Sequence, residues 1–253
     1  MNPHVLTLMM SSVATSTIIV AINNHWLFAW IGLELNTLAI LPMLAKTHAP
    51  RTTEATTKYF LTQAAASSTL LFASALNAWL TGQWSITELT TQPALTMLTL
   101  ALMMKLGIAP LHAWLPEVMQ GTSMNMALIL ATWQKLAPFA LLYTTSHTLH
   151  TPTLLTLAII STFVGGWGGL NQTQLRKMMA FSSIAHLGWI ISIITLNRHL
   201  ALITLVFYIT MTTTALSNMS ALNTKSFKDT TTMWHTTPTT TTILLLTMVS
   251  LGG

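Results

Sequence analysis

Three ionisable side chains lie near the middle of long apolar stretches of the sequence: Glu34, Lys105 and Lys135. A charged side chain at the centre of a bilayer costs about 2.5–3.5 kcal/mol on insertion scales. Apolar residues would avoid that cost. The presence of a carboxylate and two amines therefore predicts that the protein moves something charged.

These charges lie at similar depths in the predicted membrane helices. Counting residues from the helix ends places Glu34, Lys105 and Lys135 about 14–17 Å deep in a hydrocarbon core about 30 Å thick. His186 lies at a comparable depth in another helix, so four titratable groups are predicted to share one layer. Burial disfavours the charged form of a lysine and a nearby carboxylate favours it. Such a lysine can bind and release a proton as its carboxylate partner moves.

Each of these residues also has a structural interpretation. A lysine near an interface can extend its ammonium group to water, but a lysine at mid-depth reaches neither interface without thinning the bilayer. The lysines could instead form a structural ion pair with Glu34, and His186 could be a hydrogen-bonded core histidine. Ionisable residues inside a membrane are a default sign of function. We therefore favour proton transfer, while the ion pair stays open.

The segment from Lys105 to Glu117 predicts an interrupted helix. Gly107 and Pro110 follow the lysine closely, and a proline removes a backbone donor and clashes with the preceding turn. An interruption inside a membrane frees carbonyl groups that need polar partners, which is typical of transporter pathways. The alternative is that the helix simply ends at Pro110. His112, in the same segment, is a further candidate for proton transfer.

The composition is that of a membrane protein. Of the 253 residues, 52% are hydrophobic and 6% are charged, whereas a soluble domain carries about 25% charged residues. The basic residues are scattered through short loops and form no stripe, so the net charge of +5 does not indicate a nucleic-acid partner. The chain has no Cys, which excludes disulfides and cysteine-ligated iron–sulfur clusters on it.

Apolar stretches of about 20 residues predict eight membrane helices and the start of a ninth. They are predicted at 3–22, 25–45, 59–79, 95–109, 124–143, 151–170, 178–196 and 200–221, and from Thr239 onward. The fold class is therefore all-α, a polytopic transmembrane helix bundle that forms one domain over residues 1–253.

Basic residues in the predicted loops indicate the orientation of the chain. If the helices alternate in direction, the loops at 46–58, 171–177 and 222–236 lie on one side. These loops carry Lys46, Arg51, Lys58, Arg176, Lys177, Lys225 and Lys228, and the opposite side carries only Arg198 as a basic residue. Membrane proteins concentrate Lys and Arg in the loops of one side. The N-terminus is predicted to share that basic side.

Four segments of the sequence closely resemble the vertebrate-type chain 2 family of mitochondrial NADH–ubiquinone oxidoreductase, respiratory complex I. They are 31–36, 105–117, 133–138 and 182–189, and the resemblance runs along essentially the whole chain. It implies an antiporter-like membrane subunit built from two inverted five-helix repeats. Residues 1–148 would form the first repeat and residues 149–253 would begin the second. The family continues for several more helices, so we expect either a C-terminally truncated chain or an unusually short member.

The resemblance also implies roles for individual residues. Glu34 would pair with Lys105, the lysine of the broken helix, and Lys135 would pass protons along the central layer. His186 would be a relay or gate residue. The implied function is proton translocation by a core membrane-arm subunit, coupled to electron transfer from NADH to ubiquinone. No cofactor is expected on this chain, because NADH, FMN, iron–sulfur clusters and ubiquinone would bind to partner subunits.

The same resemblance implies a cellular location and partner subunits. The chain would be a multi-pass protein of the mitochondrial inner membrane, with its N-terminus and basic loops on the matrix side. Its partners would be neighbouring antiporter-like and small core membrane subunits, and lipids including cardiolipin. It would be part of an enzyme, the proton-translocating NADH:ubiquinone reductase. Two other functions stay open: a stand-alone cation/proton antiporter, and a structural scaffold whose buried charges only set the helix register.

Overall fold

The computed structural model describes residues 2–47, 49–222, 224, 226–235 and 237–251, and these form twelve α-helices. The helices are α1 (Pro3–Ile22), α2 (Trp26–Leu44), α3 (Pro50–Thr81), α4 (Gln92–Leu106), α5 (Trp114–Gly121), α6 (Met124–Ala131), α7 (Leu136–Thr145), α8 (Thr151–Leu170), α9 (Leu175–Leu196), α10 (Arg198–Leu222), α11 (Phe227–Met233) and α12 (Pro238–Leu251). Two 3₁₀ turns, Ala45–Thr47 and Trp133–Lys135, complete the regular structure of this part of the chain. The all-α prediction is confirmed.

All nine predicted helices are present in the described part of the chain, with two changes to predicted helices and two additional short helices. The helix predicted at 59–79 begins at Pro50, and the helix predicted at 124–143 is interrupted at 132–135. The short helices α5 and α11 were not predicted, because neither approaches the length of a membrane span. Lys225 and the last two residues, to which the predicted basic loop and the ninth helix extend, lie outside the described residues.

The early start of α3 has a local cause. Pro50 occupies the first helical position, where a missing backbone N–H is harmless and φ already suits a helix. The Thr52 hydroxyl accepts a hydrogen bond from the Ala49 N–H at 3.1 Å, which closes the N-terminus. Arg51 and Lys58 therefore lie on the first turns of a helix and not in a loop. At 32 residues, α3 is about 48 Å long, so its first turns extend beyond a hydrocarbon core of about 30 Å.

Six segments of the described chain are long and apolar enough to cross a membrane. They are α1, α2, Met124–Thr145 (α6 to α7), α8, α9 and α10. The 15 residues of α4 make a helix of about 22 Å, which is shorter than the hydrocarbon core and consistent with an interrupted helix. The chain is therefore a multi-pass membrane protein.

The first compact unit consists of Met1–Gly107 and Gln134–Leu154. In it α1 packs on α2, α2 on α3 and α3 on α4, while α7 packs against α1 and α4. Gly32 lets α1 and α2 approach closely, because a Cβ at this position would lie 2.6 Å from Val20 Cγ2. Such small residues are how membrane helices bring their backbones together.

The second compact unit consists of Ile108–Trp133 and Leu155–Gly253. In it α10 packs against α6, α9 and α12, and α5 packs against α9. Gly165 of α8 packs closely on α9, because a Cβ at this position would lie 2.5 Å from the Ala185 backbone nitrogen. The buried Ser161 hydroxyl donates a hydrogen bond to the Ile184 carbonyl of α9 at 2.8 Å.

Candidate functional site

Glu34 lies on α2, a helix of apolar residues that begins with a side-chain cap. The His25 Nδ1 accepts a hydrogen bond from the Leu27 N–H at 3.2 Å, which satisfies one of the free donors at the helix start. Glu34 is half-buried, and its Oε2 atom is buried without a hydrogen bond in the described structure. Its carboxylate interacts electrostatically with Lys105 and Tyr59.

Lys105 lies in the last turn of α4. The helix ends at Leu106 because Gly107 adopts a left-handed conformation with φ 77°, which glycine reaches without steric cost. The Gly107 N–H then bonds the Met104 carbonyl at 3.2 Å. Lys105 is 5% exposed, and its Nζ atom is buried without a hydrogen bond within the described chain. The predicted interruption after Lys105 is therefore present.

Glu34 and Lys105 attract each other without direct contact. Their oxygen and nitrogen atoms do not approach within the 4.0 Å of an ion pair, a separation that Lys58 and Glu54 do reach, at 2.6 Å. The structural ion pair that the sequence leaves open is thus not formed between Glu34 and Lys105 in this structure. A buried ammonium and a half-buried carboxylate kept apart remain sensitive to small changes in their separation, since charges interact strongly inside a protein.

Lys135 lies at a second helix interruption, where the sequence predicts an unbroken helix over 124–143. The 3₁₀ turn Trp133–Lys135 separates α6 from α7, and Lys135 is 3% exposed. Pro138 explains this interruption. A proline lacks the N–H that would bond the carbonyl four residues earlier, and its ring clashes with that carbonyl. That carbonyl belongs to Gln134, at the centre of the turn.

A cluster of two buried side chains, Asn36 and Tyr59, and the half-buried Gln134 joins three elements of the first unit and is not predicted by the sequence analysis. Asn36 Nδ2 donates to Gln134 Oε1 at 3.3 Å, and Gln134 Nε2 donates to Asn36 Oδ1 at 3.1 Å. The Tyr59 hydroxyl donates to the same Gln134 Oε1 at 3.3 Å. Asn36 stands two residues after Glu34, and Gln134 directly precedes Lys135. The presence of Asn36 and Gln134 in apolar segments is the sequence feature that could have indicated this cluster, because buried amides need hydrogen-bond partners.

The structure divides the five predicted site residues between the two units. Glu34, Lys105 and Lys135 all belong to the first unit, whereas His186 and His112 belong to the second. The first unit therefore contains three of the four residues that the sequence places in one charged layer, and the fourth, His186, lies in the second unit. The two histidines are described within their own unit.

His186 lies half-buried on α9 in the second unit. Its Nδ1 is 2.8 Å from the Ser182 carbonyl one turn earlier. Because a carbonyl only accepts, Nδ1 carries the proton of the neutral ring. The imidazole ring lies 5.6 Å from the Tyr208 ring. The Tyr208 hydroxyl donates to the Ala131 carbonyl at 3.0 Å, which satisfies an acceptor at the broken end of α6.

His112 lies between α4 and α5, in the stretch that follows the first interruption. It is half-buried, and its Nδ1 atom is buried without a hydrogen bond in the described structure. Its backbone carbonyl accepts from the Leu115 N–H at 3.0 Å and so opens the first turn of α5. The position therefore combines a local structural role with a titratable ring nitrogen.

Comparison with protein families identifies a match over most of the chain. Residues 23–253 match the family described as "NADH:quinone oxidoreductase/Mrp antiporter, TM". Among curated proteins, NADH-ubiquinone oxidoreductase chain 2 of Xenopus laevis and that of Latimeria chalumnae are each 53% identical over 253 residues. Each alignment covers 100% of this chain and 73% of the relative.

Solved structures give the same result for the fold. A chain of respiratory complex I from Thermus thermophilus, with bound aureothin, superposes with a TM-score of 0.91 at 28% identity. The match covers 99% of this chain and 60% of that chain. A chain of the Mrp complex from Dietzia superposes with a TM-score of 0.74 over 84% of this chain and 43% of its own length. At 16% identity, it shows the fold alone.

Proposed function

The chain belongs to the NADH:quinone oxidoreductase/Mrp antiporter membrane family, and from that premise we propose its function. It is an antiporter-like membrane subunit of the complex I type that takes part in proton translocation. The observation that carries the proposal is the grouping of Glu34, Lys105 and Lys135 in one unit, with both lysines almost completely buried. The chain spans 73% of its curated relatives.

The proposed mechanism uses the separation between Glu34 and Lys105. Approach of two unit charges from about 8 Å to about 4 Å strengthens their attraction by about 2 kcal/mol at an effective dielectric constant of 20. Moving one charge against 100 mV requires about 2.3 kcal/mol. The two energies are similar, so a small movement of the carboxylate is enough to load or release a proton on Lys105.

Lys135 is the proposed next carrier. It lies at the second interruption of the helices, within the same unit as Lys105, and a proton passes between the two lysines through water. His186 and His112 are proposed as relay residues in the second unit. With Nδ1 of His186 protonated toward Ser182, Nε2 is the nitrogen of that ring that takes up a proton.

The redox chemistry is proposed to lie on partner subunits. The chain has no Cys, so it supplies no cysteine ligand to an iron–sulfur cluster. NADH, FMN and ubiquinone are likewise assigned to partners. The chain therefore acts as one subunit of a proton-translocating NADH:ubiquinone reductase, and the driving energy reaches it as a conformational or electrostatic change.

We place the chain in the mitochondrial inner membrane with its basic side toward the matrix. The support is the bias of seven basic residues against one between the two predicted sides. Its neighbours are other antiporter-like and small core membrane subunits. The basic side also suits anionic lipid headgroups such as those of cardiolipin, because clustered Lys and Arg next to a membrane attract them.

The test is Lys105→Met in the intact complex, reconstituted in proteoliposomes, with protons pumped per NADH oxidised as the measurement. Methionine removes an insertion cost of about 2.5–3.5 kcal/mol, so the complex is expected to assemble while pumping is lost. Lys58→Met is the matched control, because Lys58 is exposed and paired with Glu54. Pumping at full stoichiometry by Lys105→Met would refute the role of Lys105.

Two further results would support the other functions. Exchange of Na⁺ for H⁺ by the purified chain without partners would indicate a stand-alone antiporter. Full pumping after alanine substitution at all three charged positions would indicate a scaffold.

A further inference from the structure

We propose that Asn36 and Gln134 are positioning residues that hold Glu34 and Lys135 in fixed relation to each other. The proposal rests on the proton-transfer function proposed above. The two amides lie next to the charged residues in the chain, and they bond to each other across 98 positions of the sequence. They are thus a direct link between the segment that carries the carboxylate and the segment that carries the second lysine.

The amide pair is reciprocal, so its geometry is well defined. Each side chain donates once to the other and accepts once from it, with distances of 3.1 Å and 3.3 Å. Asn36 is 2% exposed, and a buried amide that loses its partner is costly in an apolar interior. Rotation or sliding of either segment would break both bonds together, and the pair therefore resists such movement.

Tyr59 adds a third element to the pair. Its hydroxyl donates to Gln134 Oε1 at 3.3 Å, and this oxygen also accepts from Asn36. An amide oxygen has two lone pairs, so both are used. Tyr59 on α3 also interacts electrostatically with Glu34. Three elements, α2, α3 and the turn before α7, are therefore joined at one atom of Gln134.

The location of the pair explains why it matters for proton transfer. Lys135 lies in a 3₁₀ turn where Pro138 weakens the regular hydrogen bonds of the helix. The hydrogen bonds of a 3₁₀ turn have poorer geometry than those of an α-helix, and Pro138 has no N–H to bond the Gln134 carbonyl. The pair of Asn36 and Gln134 provides the missing constraint on the residue before Lys135. Neither amide titrates, so both act through position and neither carries the proton.

The experiment uses the intact complex in proteoliposomes and measures protons pumped per NADH oxidised. Gln134→Leu and Asn36→Leu are each expected to lower this ratio at least about fivefold, because each loses the two hydrogen bonds of the amide pair. Gln134→Leu also loses the hydrogen bond from the Tyr59 hydroxyl and is expected to be the more defective of the two. The double variant is expected to be no worse than Gln134→Leu, because Asn36→Leu removes only bonds that Gln134→Leu has already removed. Strictly additive losses would overturn the proposal.

Asn77→Leu is the matched control. Asn77 is fully buried in the same unit and also makes two hydrogen bonds, to the Glu88 carbonyl at 3.2 Å and from the Thr91 hydroxyl at 3.1 Å. None of these groups belongs to the charged site, so pumping by this variant is expected to be unchanged. A loss equal to that of Gln134→Leu would show a general packing effect and would overturn the proposal.

The exchanged pair Asn36→Gln with Gln134→Asn provides the rescue. This variant keeps two amides of the same combined length. We expect the complex that carries it to pump at least twice as well as a complex with either leucine variant. An exchanged pair as defective as the leucine variants would count against positioning by the amides.

Hydrogen exchange of the peptide 133–139 separates this proposal from the proposed function. Faster exchange in Gln134→Leu, together with full pumping by Lys105→Met, would support the constraint and reject the role of the lysine in proton transfer. Unchanged exchange and unchanged pumping in Gln134→Leu, together with lost pumping by Lys105→Met, would reject the positioning role alone.

Discussion

The two helix interruptions both carry a buried lysine, but they place it at opposite helix ends. Lys105 lies in the last turn of α4, where the partial negative charge of the helix stabilises an ammonium group. Lys135 directly precedes the first residue of α7, where the partial positive charge opposes it. Each effect amounts to about 0.3–1 kcal/mol at a surface and about 2 kcal/mol when partly buried.

Because of this difference, the two lysines would not be interchangeable as proton carriers under the proposed mechanism. A proton that moves from Lys105 to Lys135 leaves a favourable helix end for an unfavourable one. Under the proposed mechanism, the transfer from Lys105 to Lys135 is the step that must be driven. Before that transfer, the charge that interacts with Lys105 is the Glu34 carboxylate.

The two interruptions are also stabilised differently. At the first, the Gly107 N–H bonds carbonyl groups of its own helix, so the chain caps itself. At the second, the Ala131 carbonyl is satisfied by the Tyr208 hydroxyl from α10. The first interruption therefore depends on backbone conformation, whereas the second depends on a side chain from a distant part of the sequence.

The largest effect is expected from Lys135→Arg. Arginine keeps the positive charge but cannot release a proton in a protein, so it separates a carrier from a structural charge. We expect proton pumping to fall at least about a hundredfold, equivalent to about 2.7 kcal/mol in the barrier, with assembly retained. The measurement is the initial rate of lumen acidification in proteoliposomes. A wild-type rate would show that Lys135 serves only as a fixed charge.

The next largest effect is expected from Tyr208→Phe at the second interruption. The substitution removes the donor to the Ala131 carbonyl, and an unsatisfied buried acceptor costs about 2 kcal/mol. Thermal unfolding of the purified complex measures the loss. Thr212→Val on the same helix is the control, because its hydroxyl bonds the Tyr208 carbonyl of its own helix at 2.8 Å. Equal destabilisation by both variants would contradict a special role for Tyr208.

Gly107→Ala tests the first interruption and is expected to have a smaller effect. Alanine at φ 77° costs about 1 kcal/mol, because its Cβ crowds the following carbonyl in a left-handed conformation. Gly166→Ala is the matched control, since a Cβ there has no atom within 4 Å and alanine favours a helix by about 1 kcal/mol. Chemical denaturation should show opposite signs for the two variants. A stabilised Gly107→Ala variant would contradict the proposed cap.

The two interruptions also differ in how far the sequence predicts them. The first interruption is predictable because Gly107 and Pro110 both mark it within a few residues of Lys105. At the second interruption, Pro138 is the one residue that could indicate a break, and a single proline does not by itself predict an interrupted helix. Pro42 lies inside α2 and leaves that helix continuous. One proline inside an apolar run is therefore a weaker signal than a glycine followed by a proline.

The charged residues were predictable from the sequence, but their partners were not. Glu34, Lys105 and Lys135 stand out because each interrupts an apolar run. The bond between Asn36 and Gln134 joins residues 98 positions apart, and helix periodicity contains no information about which faces meet. The start of α3 at Pro50 was missed for a simpler reason. Hydropathy detects the apolar span, whereas the helix extends past it into polar residues.

The smallest effect is expected from Glu54→Gln, which removes the carboxylate of an exposed carboxylate–lysine pair. Glu54 and Lys58 are in direct contact at 2.6 Å with side chains 62% and 41% exposed. By contrast, Glu34 and Lys105 are separated, and they are half-buried and buried respectively. Pumping is expected to be unchanged, because water screens exposed charges and such pairs contribute little. Pumping reduced to the level of Lys105→Met would show that buried position is not what distinguishes the site.

The pH dependence of the Glu54 pair has a definite sign. The hydrogen bond from Lys58, and then its positive charge, lower the pKa of Glu54 below 4.5. The folded protein therefore holds fewer protons on this group than the unfolded chain does as the pH falls through that region. The small stabilisation is present in full above pH 4.5 and disappears as the pH falls through the lowered pKa. Unfolding curves of wild type and Glu54→Gln should accordingly converge in acid and separate slightly at neutral pH. Convergence at neutral pH with separation in acid would contradict this account of the pair.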